Sequence, residues 1–272
     1  KMFYNLSMDK LIERYKSFLD KGKTERECVK EVIEIAEKEG YKNLDSVSTL
    51  SPGDKVYVTE YDKAIALYHI GKGDMEKGMN VLGAHIDSPR LDIKMKPLYE
   101  SDGIVYLDTH YYSGIKKYQW VTIPLSLYGV VAKKDGTVVD VVIGEDDDDP
   151  VVGISDLLIH LAAEQLDKKA AKVIEGENLD VTLGNMPLVG EEKDAVKANI
   201  LKLLKDKYDI EEEDFVSAEI EVVPSGKARD YGLDRSMIAG YGHDDRVCAY
   251  TSLTAILDMD VCDYTCCAIL VD

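Results

Sequence analysis

The chain has 272 residues, of which 45% are hydrophobic, and a formal net charge of -19 at pH 7. This length and composition can bury the core of one large or two ordinary domains, and they argue against a disordered chain. The acidic excess argues against nucleic acid and anionic membranes as partners, because their phosphates would repel it. Residues 1–95 carry 16 basic and 17 acidic side chains, so an excess of 18 acidic side chains falls on the remainder. Two regions with different surfaces are indicated.

The cysteines number five, an odd count without a repeated spacing, which favours a reduced, intracellular protein. They are Cys28, Cys248, Cys262, Cys266 and Cys267. The N-terminal sequence contains no apolar segment of signal-peptide length, and no stretch approaches the ~18 apolar residues of a membrane span. We therefore expect a cytoplasmic protein without a membrane partner, whose thiols lie in the core as small hydrophobic residues.

Two amphipathic helices are predicted before any strand. Apolar spacing predicts the first over residues 8–22. The second begins at Thr24, where Glu27 completes a capping-box pattern, and ends at Gly40. Three apolar runs of strand length follow, at residues 56–61, 64–70 and 79–85. The third run is apolar enough to be buried on both faces and ends in polar residues, which is typical of a central strand that carries a functional site.

The central part of the chain, from about residue 95 to 235, contains short alternating runs separated by Gly, Asp and Lys. This texture is typical of antiparallel β structure. Within it, apolar spacing predicts helices over 154–165 and 195–208. The acidic run at 144–150 predicts a solvated loop rather than a calcium site, because four contiguous Asp side chains cannot all point inward.

The C-terminal part is predicted to contain a loop over 229–242, a helix over 244–257 and a buried strand over 266–271. The sequence stops at Asp272, directly after that strand. An α/β sheet would lack its next element there. We therefore expect this sequence to be a fragment of a longer polypeptide.

The strongest local signal is the segment GAHIDSPRL, residues 83–91, at the end of the third apolar run. Residues two apart in an extended segment share a face, so His85 and Asp87 point to the same side of a strand end, where α/β proteins place their sites. A histidine metal ligand needs a carboxylate at its second nitrogen, and this spacing offers one. By composition alone, a histidine at such a position is more often buried and hydrogen-bonded than bound to a metal.

The second signal is GHDDR, residues 242–246, directly before the last predicted helix. Acidic residues at a helix start also interact favourably with the helix dipole, so Asp244 and Asp245 have a structural explanation as well. Hydrolytic sites with two metals require one carboxylate that contacts both ions, together with His and carboxylate ligands. The presence of two segments with acidic and histidine residues therefore makes a metal-dependent hydrolase one candidate function.

Three segments of the chain together resemble a known family. They are AHIDSPRLDIK at 84–94, GHDDRVCAYTSL at 242–253 and CAILVD at 267–272. In this order they are similar to the aspartyl aminopeptidase or aminopeptidase I family of dinuclear zinc exopeptidases, and the resemblance covers nearly the whole chain. It implies an α/β fold class, namely a three-layer αβα zinc-exopeptidase domain with an inserted β-rich dimerisation domain. The implied catalytic domain comprises residues 1–94 and 236–272 and is truncated at its C-terminal side, and the insertion comprises residues 95–235.

The resemblance also assigns site residues. It implies that His85 is a zinc ligand, that Asp87 is the catalytic-site residue supporting it, and that Asp244 bridges two metals. Asp245 stands where the family usually has Asn, and the peptide bond between Asp244 and Asp245 is implied to be cis. His243 either contacts the ligands or lies exposed in the loop. The general-base glutamate, a second glutamate, an aspartate and a final histidine of the family would lie beyond Asp272.

The implied function is that of a metalloaminopeptidase with two zinc ions per complete subunit, for which cobalt or manganese could substitute. Its substrates would be peptides with a free N-terminus, with acidic residues as one candidate class attracted by cations such as Arg90, Lys94, Arg229 or Arg246. The resemblance implies a homo-oligomer, a tetrahedral particle of twelve subunits. Two alternatives stay open: a non-catalytic assembly module, and a related dinuclear zinc carboxypeptidase or deacylase.

Overall fold

The computed structural model describes the backbone of residues 2–272 and the side chains from Met8 onward. The chain has a mixed α/β fold and divides into two compact units. Unit 1 comprises Lys1–Ser88 and Lys227–Asp272, and unit 2 comprises Pro89–Gly226. The boundaries predicted from the sequence, after residues 94 and 235, fall six and nine residues C-terminal to these two divisions. Across residues 2–272, no helix is long and apolar enough to cross a membrane.

The described residues contain six α-helices and thirteen β-strands, besides short 3-10 turns. The helices are α1 (Met2–Lys21), α2 (Glu25–Lys38), α3 (Ala163–Leu166), α4 (Ala170–Val173), α5 (Ala195–Tyr208) and α6 (His243–Leu257). The strands are β1 (Lys42–Asn43), β2 (Lys55–Glu60), β3 (Ala64–His69), β4 (Met79–His85), β5 (Arg90–Ser101), β6 (Ile104–Tyr112), β7 (Leu125–Ala132), β8 (Val138–Ile143), β9 (Val181–Gly184), β10 (Ala218–Pro224), β11 (Arg229–Tyr231), β12 (Met237–Ala239) and β13 (Thr265–Val271).

Unit 1 is built on a five-stranded sheet in the order β1-β2-β3-β13-β4. Alternate residues of β3 are buried, and its Leu67 lies opposite Ala268 of the antiparallel strand β13. These two side chains belong to one hydrophobic core with Phe18 of α1, Val32 of α2 and Leu253 of α6. The three long helices of unit 1 therefore pack their apolar stripes on one face of the sheet.

The second helix begins where the sequence predicted. Thr24 is the N-cap of α2 with extended backbone angles, although its hydroxyl donates a hydrogen bond to the Glu27 side chain instead of accepting one from the backbone. Cys28 and Val29, in the first two turns, are fully buried in the core of unit 1. The position of the cap thus turns the apolar face of α2 toward the sheet.

Strand β4 lies at the edge of the sheet, where it pairs in parallel with β13. Met79, Val81 and Leu82 are exposed. The prediction of a central strand buried on both faces is therefore wrong for the described residues. An apolar run is buried on both faces only when strands or helices flank it on every side, and within residues 2–272 a single strand pairs with β4. Strand β13 is instead interior, with β3 and β4 as its neighbours.

Unit 2 is built on a six-stranded sheet in the order β8-β7-β10-β5-β6-β9. Each neighbouring pair in it is antiparallel, as the short alternating runs indicated. Helix α5 packs on β5, β6 and β9. Leu107, Leu125, Val131 and Val222 are among the fully buried residues of its core, which is separate from the core of unit 1.

A close approach of two strands in unit 2 requires a glycine. Gly129 of β7 lies opposite Ile220 of β10, and a Cβ atom at Gly129 would overlap the carbonyl oxygen of Glu219. We expect Gly129→Ala to lower the free energy of unfolding of unit 2 by about 1–3 kcal/mol, because β10 must move away from β7. Urea denaturation measures this loss. Gly114→Ala is the matched control, since a Cβ atom there meets nothing within 4 Å; an equal loss in both variants would contradict the expectation.

Two sequence predictions about secondary structure are wrong. Residues 154–165 do not form one helix: a 3-10 turn covers Ile159–Leu161 and α3 begins at Ala163. The apolar side chains of Leu157 and Ile159 are exposed, so no packing within the described residues stabilises a helix at this position. The loop predicted over 229–242 contains the hairpin of β11 and β12, whose three-residue strands are too short for an alternating pattern to reveal.

Candidate metal-binding site

The candidate site lies in unit 1 and begins at His85, the last residue of β4. The Nδ1 atom of His85 lies 2.8 Å from Oδ1 of Asp87. Because a carboxylate only accepts hydrogen bonds, Nδ1 donates, which leaves the lone pair of the neutral imidazole on Nε2. Burial disfavours the charged imidazolium, but the hydrogen bond to Asp87 and the charges of Asp87 and Asp245 outweigh it, so the pKa of His85 is raised.

The acid pair stands at the start of α6 and faces this imidazole. Oδ1 of Asp244 lies 3.5 Å from Nε2 of His85, and Oδ2 of Asp245 lies 4.0 Å from the same atom. The Asp244 side chain is 92% exposed, whereas that of Asp245 is 23% exposed. Gly242 has a φ of +86°, and both aspartates have non-helical backbone angles, so the regular helix starts after them. The peptide bond between them is cis, as the resemblance implied.

A hydrogen bond within unit 1 connects the two halves of the site. The buried hydroxyl of Ser88 donates to the carbonyl oxygen of Asp244 at a distance of 2.8 Å. Ser88 follows Asp87 directly, so the segment that holds the His85–Asp87 pair is fixed to the peptide unit of the acid pair. Ser88 belongs to the motif HIDSP at 85–89, but the sequence pattern did not indicate its contact with Asp244.

The donors present fit part of a zinc site. Zinc takes imidazole nitrogens and carboxylate oxygens, and here an available Nε2 of His85 faces the exposed carboxylate of Asp244. Among residues 2–272, no group of three or more His, Cys, Asp or Glu side chains is placed to hold a metal ion. Nε2 of His85 and the carboxylate of Asp244 face each other in the described part of the chain, and their role as metal ligands stays a prediction.

His243 precedes the acid pair and contacts α1. Its Nδ1 atom lies 2.9 Å from the hydroxyl oxygen of Tyr15, and the two ring centroids are 5.8 Å apart. Burial raises the pKa of Tyr15 to about 12, so its hydroxyl stays protonated at neutral pH. His243 therefore fixes the start of α6 to α1. No signal in the sequence pointed to Tyr15, because the two residues are 228 positions apart.

The cations considered as attractors of acidic substrates differ in availability. Arg246 is buried, and Arg90 is buried against carboxylates of unit 2. Lys94 pairs with two carboxylates of the same unit. Arg229 is exposed in β11. Arg246, one of the four candidate cations, does not offer its charge to a substrate, because its guanidinium lies in the interior of unit 1.

The fold and the pairing of His85 with Asp244 agree with a family assignment. Residues 18–271 match the family described as aminopeptidase I zinc metalloprotease (M18). The match spans more than half of the chain, so the chain belongs to this family. The resemblance inferred from the three sequence segments is confirmed.

Relatives in bacteria agree with this assignment. A probable M18 family aminopeptidase 1 of Clostridium acetobutylicum is 59% identical over 265 residues, which are 96% of this chain and 57% of the relative. The crystal structure of an M18 aminopeptidase from Thermotoga maritima superposes with a TM-score of 0.93 and 45% identity, covering 97% of this chain and 58% of that one. The aminopeptidase I structure from C. acetobutylicum gives a TM-score of 0.88, covering 96% of this chain and 58% of that one. The chain thus spans little more than half the length of these relatives.

Proposed function

We propose that the complete polypeptide is a zinc aminopeptidase that removes N-terminal residues from peptides, and that His85 and Asp244 are ligands of its metal centre. One observation carries this proposal. His85 directs Nε2 toward the exposed carboxylate of Asp244 at 3.5 Å while Asp87 binds its other nitrogen. Family membership supports the activity, since the relatives with the same fold are described as aminopeptidases.

Each residue of the site has a distinct role in this proposal. Asp87 accepts a hydrogen bond from the Nδ1–H group of His85, which fixes the tautomer and leaves the lone pair of Nε2 to bind the metal. Asp244 contributes a carboxylate that can contact two ions, while Ser88 holds its carbonyl oxygen. Asp245 adds negative charge 4.0 Å from His85. Together these residues form a cation-binding surface at the carboxyl end of β4.

Two zinc ions per complete subunit are proposed, with cobalt or manganese as substitutes. When bound, zinc supplies a Lewis acid that polarises the scissile carbonyl and makes water acidic enough to react at neutral pH. The further ligands and the general-base glutamate stay predictions of the family resemblance. The cytoplasmic location drawn from the cysteine content stays a prediction.

The proposal includes a homo-oligomer, a tetrahedral particle of twelve subunits, in which unit 2 is the inserted dimerisation domain and unit 1 belongs to a three-layer catalytic domain. A solved yeast structure with the same fold is a dodecamer, at 18% identity. Unit 2 also exposes a run of large apolar side chains, which monomeric proteins seldom leave in water. They are Leu157, Leu158, Ile159 and Leu161.

Peptidase assays of the protein expressed from its complete reading frame test the function. We expect cleavage of peptides with a free α-amine and no cleavage of the same peptides after N-acetylation. A series with acidic, neutral and apolar first residues measures the side-chain preference. Cleavage of the N-blocked peptides instead would favour the carboxypeptidase or deacylase alternative. If the folded, metal-loaded protein cleaves neither set, the proposal is contradicted. The alternative of a non-catalytic assembly module would then remain.

A further inference from the structure

We propose that Arg246 is a positioning residue that sets the distance between the two halves of the metal site. This inference rests on the proposed function, because it assigns His85 and Asp244 to one metal centre. Arg246 is not a ligand: the residue is 1% exposed, and its guanidinium lies in the interior of unit 1. It is the largest fully buried side chain among the described residues.

The guanidinium binds the backbone of the segment that carries the first half of the site. Its Nε atom donates to the carbonyl oxygen of Ile86 at 3.0 Å, and Nη2 donates to the carbonyl oxygen of Lys23 at 2.9 Å. Ile86 lies between His85 and Asp87, and its N–H donates to the carbonyl oxygen of Val271 at 2.8 Å. Both backbone polar groups of Ile86 are therefore hydrogen-bonded: its N–H to β13 and its carbonyl oxygen to Arg246.

The backbone of Arg246 belongs to the second half of the site. It follows Asp245 directly, and its N–H donates to the carbonyl oxygen of Gly242 at 3.3 Å. A Cβ atom at Gly242 would overlap Nη1 of Arg246 and lie 2.9 Å from its Cζ atom. One residue thus joins the acid pair to the His85–Asp87 segment, and Gly242 leaves room for it.

A stabilising role alone does not account for an arginine here. The hydrogen-bond acceptors of Nε and Nη2 are backbone carbonyls, which compensate a buried positive charge less well than a carboxylate does. Well-packed apolar side chains often replace buried charges without loss of stability. The planar guanidinium, however, can donate from two nitrogens in fixed directions, so it holds Ile86 and Lys23 at one separation. A lysine would present a single donor nitrogen.

The test compares metal affinity in variants of the protein expressed from its complete reading frame. Arg246→Met removes both side-chain hydrogen bonds and keeps an unbranched side chain. Arg246→Lys keeps one donor nitrogen. Titration of the metal-free protein with Co²⁺, followed by visible absorption, measures affinity and ligand geometry without any activity assay. We expect about 10–100-fold weaker binding in Arg246→Met and a smaller loss in Arg246→Lys, since residues that orient metal ligands have effects of this size.

Val32→Ala is the matched control, because Val32 is a fully buried core residue of α2. It is expected to lower the unfolding temperature and leave Co²⁺ affinity unchanged. Wild-type affinity and spectrum in folded Arg246→Met would overturn the inference. If that variant does not fold, wild-type affinity in folded Arg246→Lys would overturn it equally. Failure of the proposed function looks different: the wild-type protein itself would bind no Co²⁺ or cleave no free-amine peptide.

Discussion

Substitution of Asp244 by Asn is expected to abolish peptidase activity of the complete polypeptide and to weaken metal binding by more than about 100-fold, beyond the loss seen when a residue behind a ligand is changed. The amide keeps the shape of the side chain and loses the negative charge that binds a divalent cation. The Asp244 side chain is 92% exposed, so packing is not disturbed. Its backbone carbonyl still accepts the hydrogen bond from Ser88. Metal content after dialysis and peptide hydrolysis measure the two losses.

Asp258→Asn is the control for this substitution. Asp258 is exposed at the C-cap of α6, so the same chemical change is made at the other end of the same helix. Metal content and activity are expected to match those of the wild-type protein. Retention of full metal content in Asp244→Asn would show that Asp244 is not a ligand and would contradict the site.

Removal of the metal by a chelator is expected to have the second large effect. Activity should fall to background, because the chemistry of the site depends on the bound ion. The unfolding temperature should fall as well, since an ion that binds only the folded state contributes about 2.7 kcal/mol when present at 100 times its Kd. Addition of zinc, cobalt or manganese should restore both quantities. Activity and differential scanning calorimetry before and after chelation give the measurement.

The Asp244→Asn variant serves as the control for chelation. It lacks the metal from the start, so the chelator should leave its unfolding temperature unchanged. Full activity in wild-type protein that has been shown to contain no metal would contradict the assignment to metal catalysis. An equal drop in unfolding temperature in both proteins would attribute the effect to the chelator and not to this site.

Local patterns in the sequence predicted much of the secondary structure of unit 1. The bounds of β4 were predicted as they are found, and α2 starts directly after its predicted cap at Thr24. Apolar periodicity and capping preferences are short-range properties, so a sequence contains them directly. Burial is different, because it depends on neighbouring elements. Val81 of β4 is exposed within the described residues because a single strand there pairs with β4, and the composition of the run does not show how many neighbours a strand has.

In the candidate site as well, local contacts could be predicted from the sequence, whereas contacts between distant residues could not. The pairing of His85 with Asp87 follows from residues two apart sharing a face, which the spacing contains. The approach of Asp244 to His85 depends on how α6 packs against β4, and only the family resemblance could indicate it. Contacts such as that of Ser88 with Asp244, 156 positions apart, carry no local pattern. The buried role of Arg246 was missed because an arginine beside two aspartates is also typical of an exposed ion pair.

Anomalous diffraction at the zinc absorption edge, from crystals of the complete polypeptide grown with zinc, tests the central claim most directly. A peak about 2.0–2.2 Å from both Nε2 of His85 and a carboxylate oxygen of Asp244 is the predicted result, because these are the lengths of zinc bonds to such atoms. Zinc peaks elsewhere in the crystal, with none within bonding distance of His85 and Asp244, would contradict the claim that these residues hold the metal.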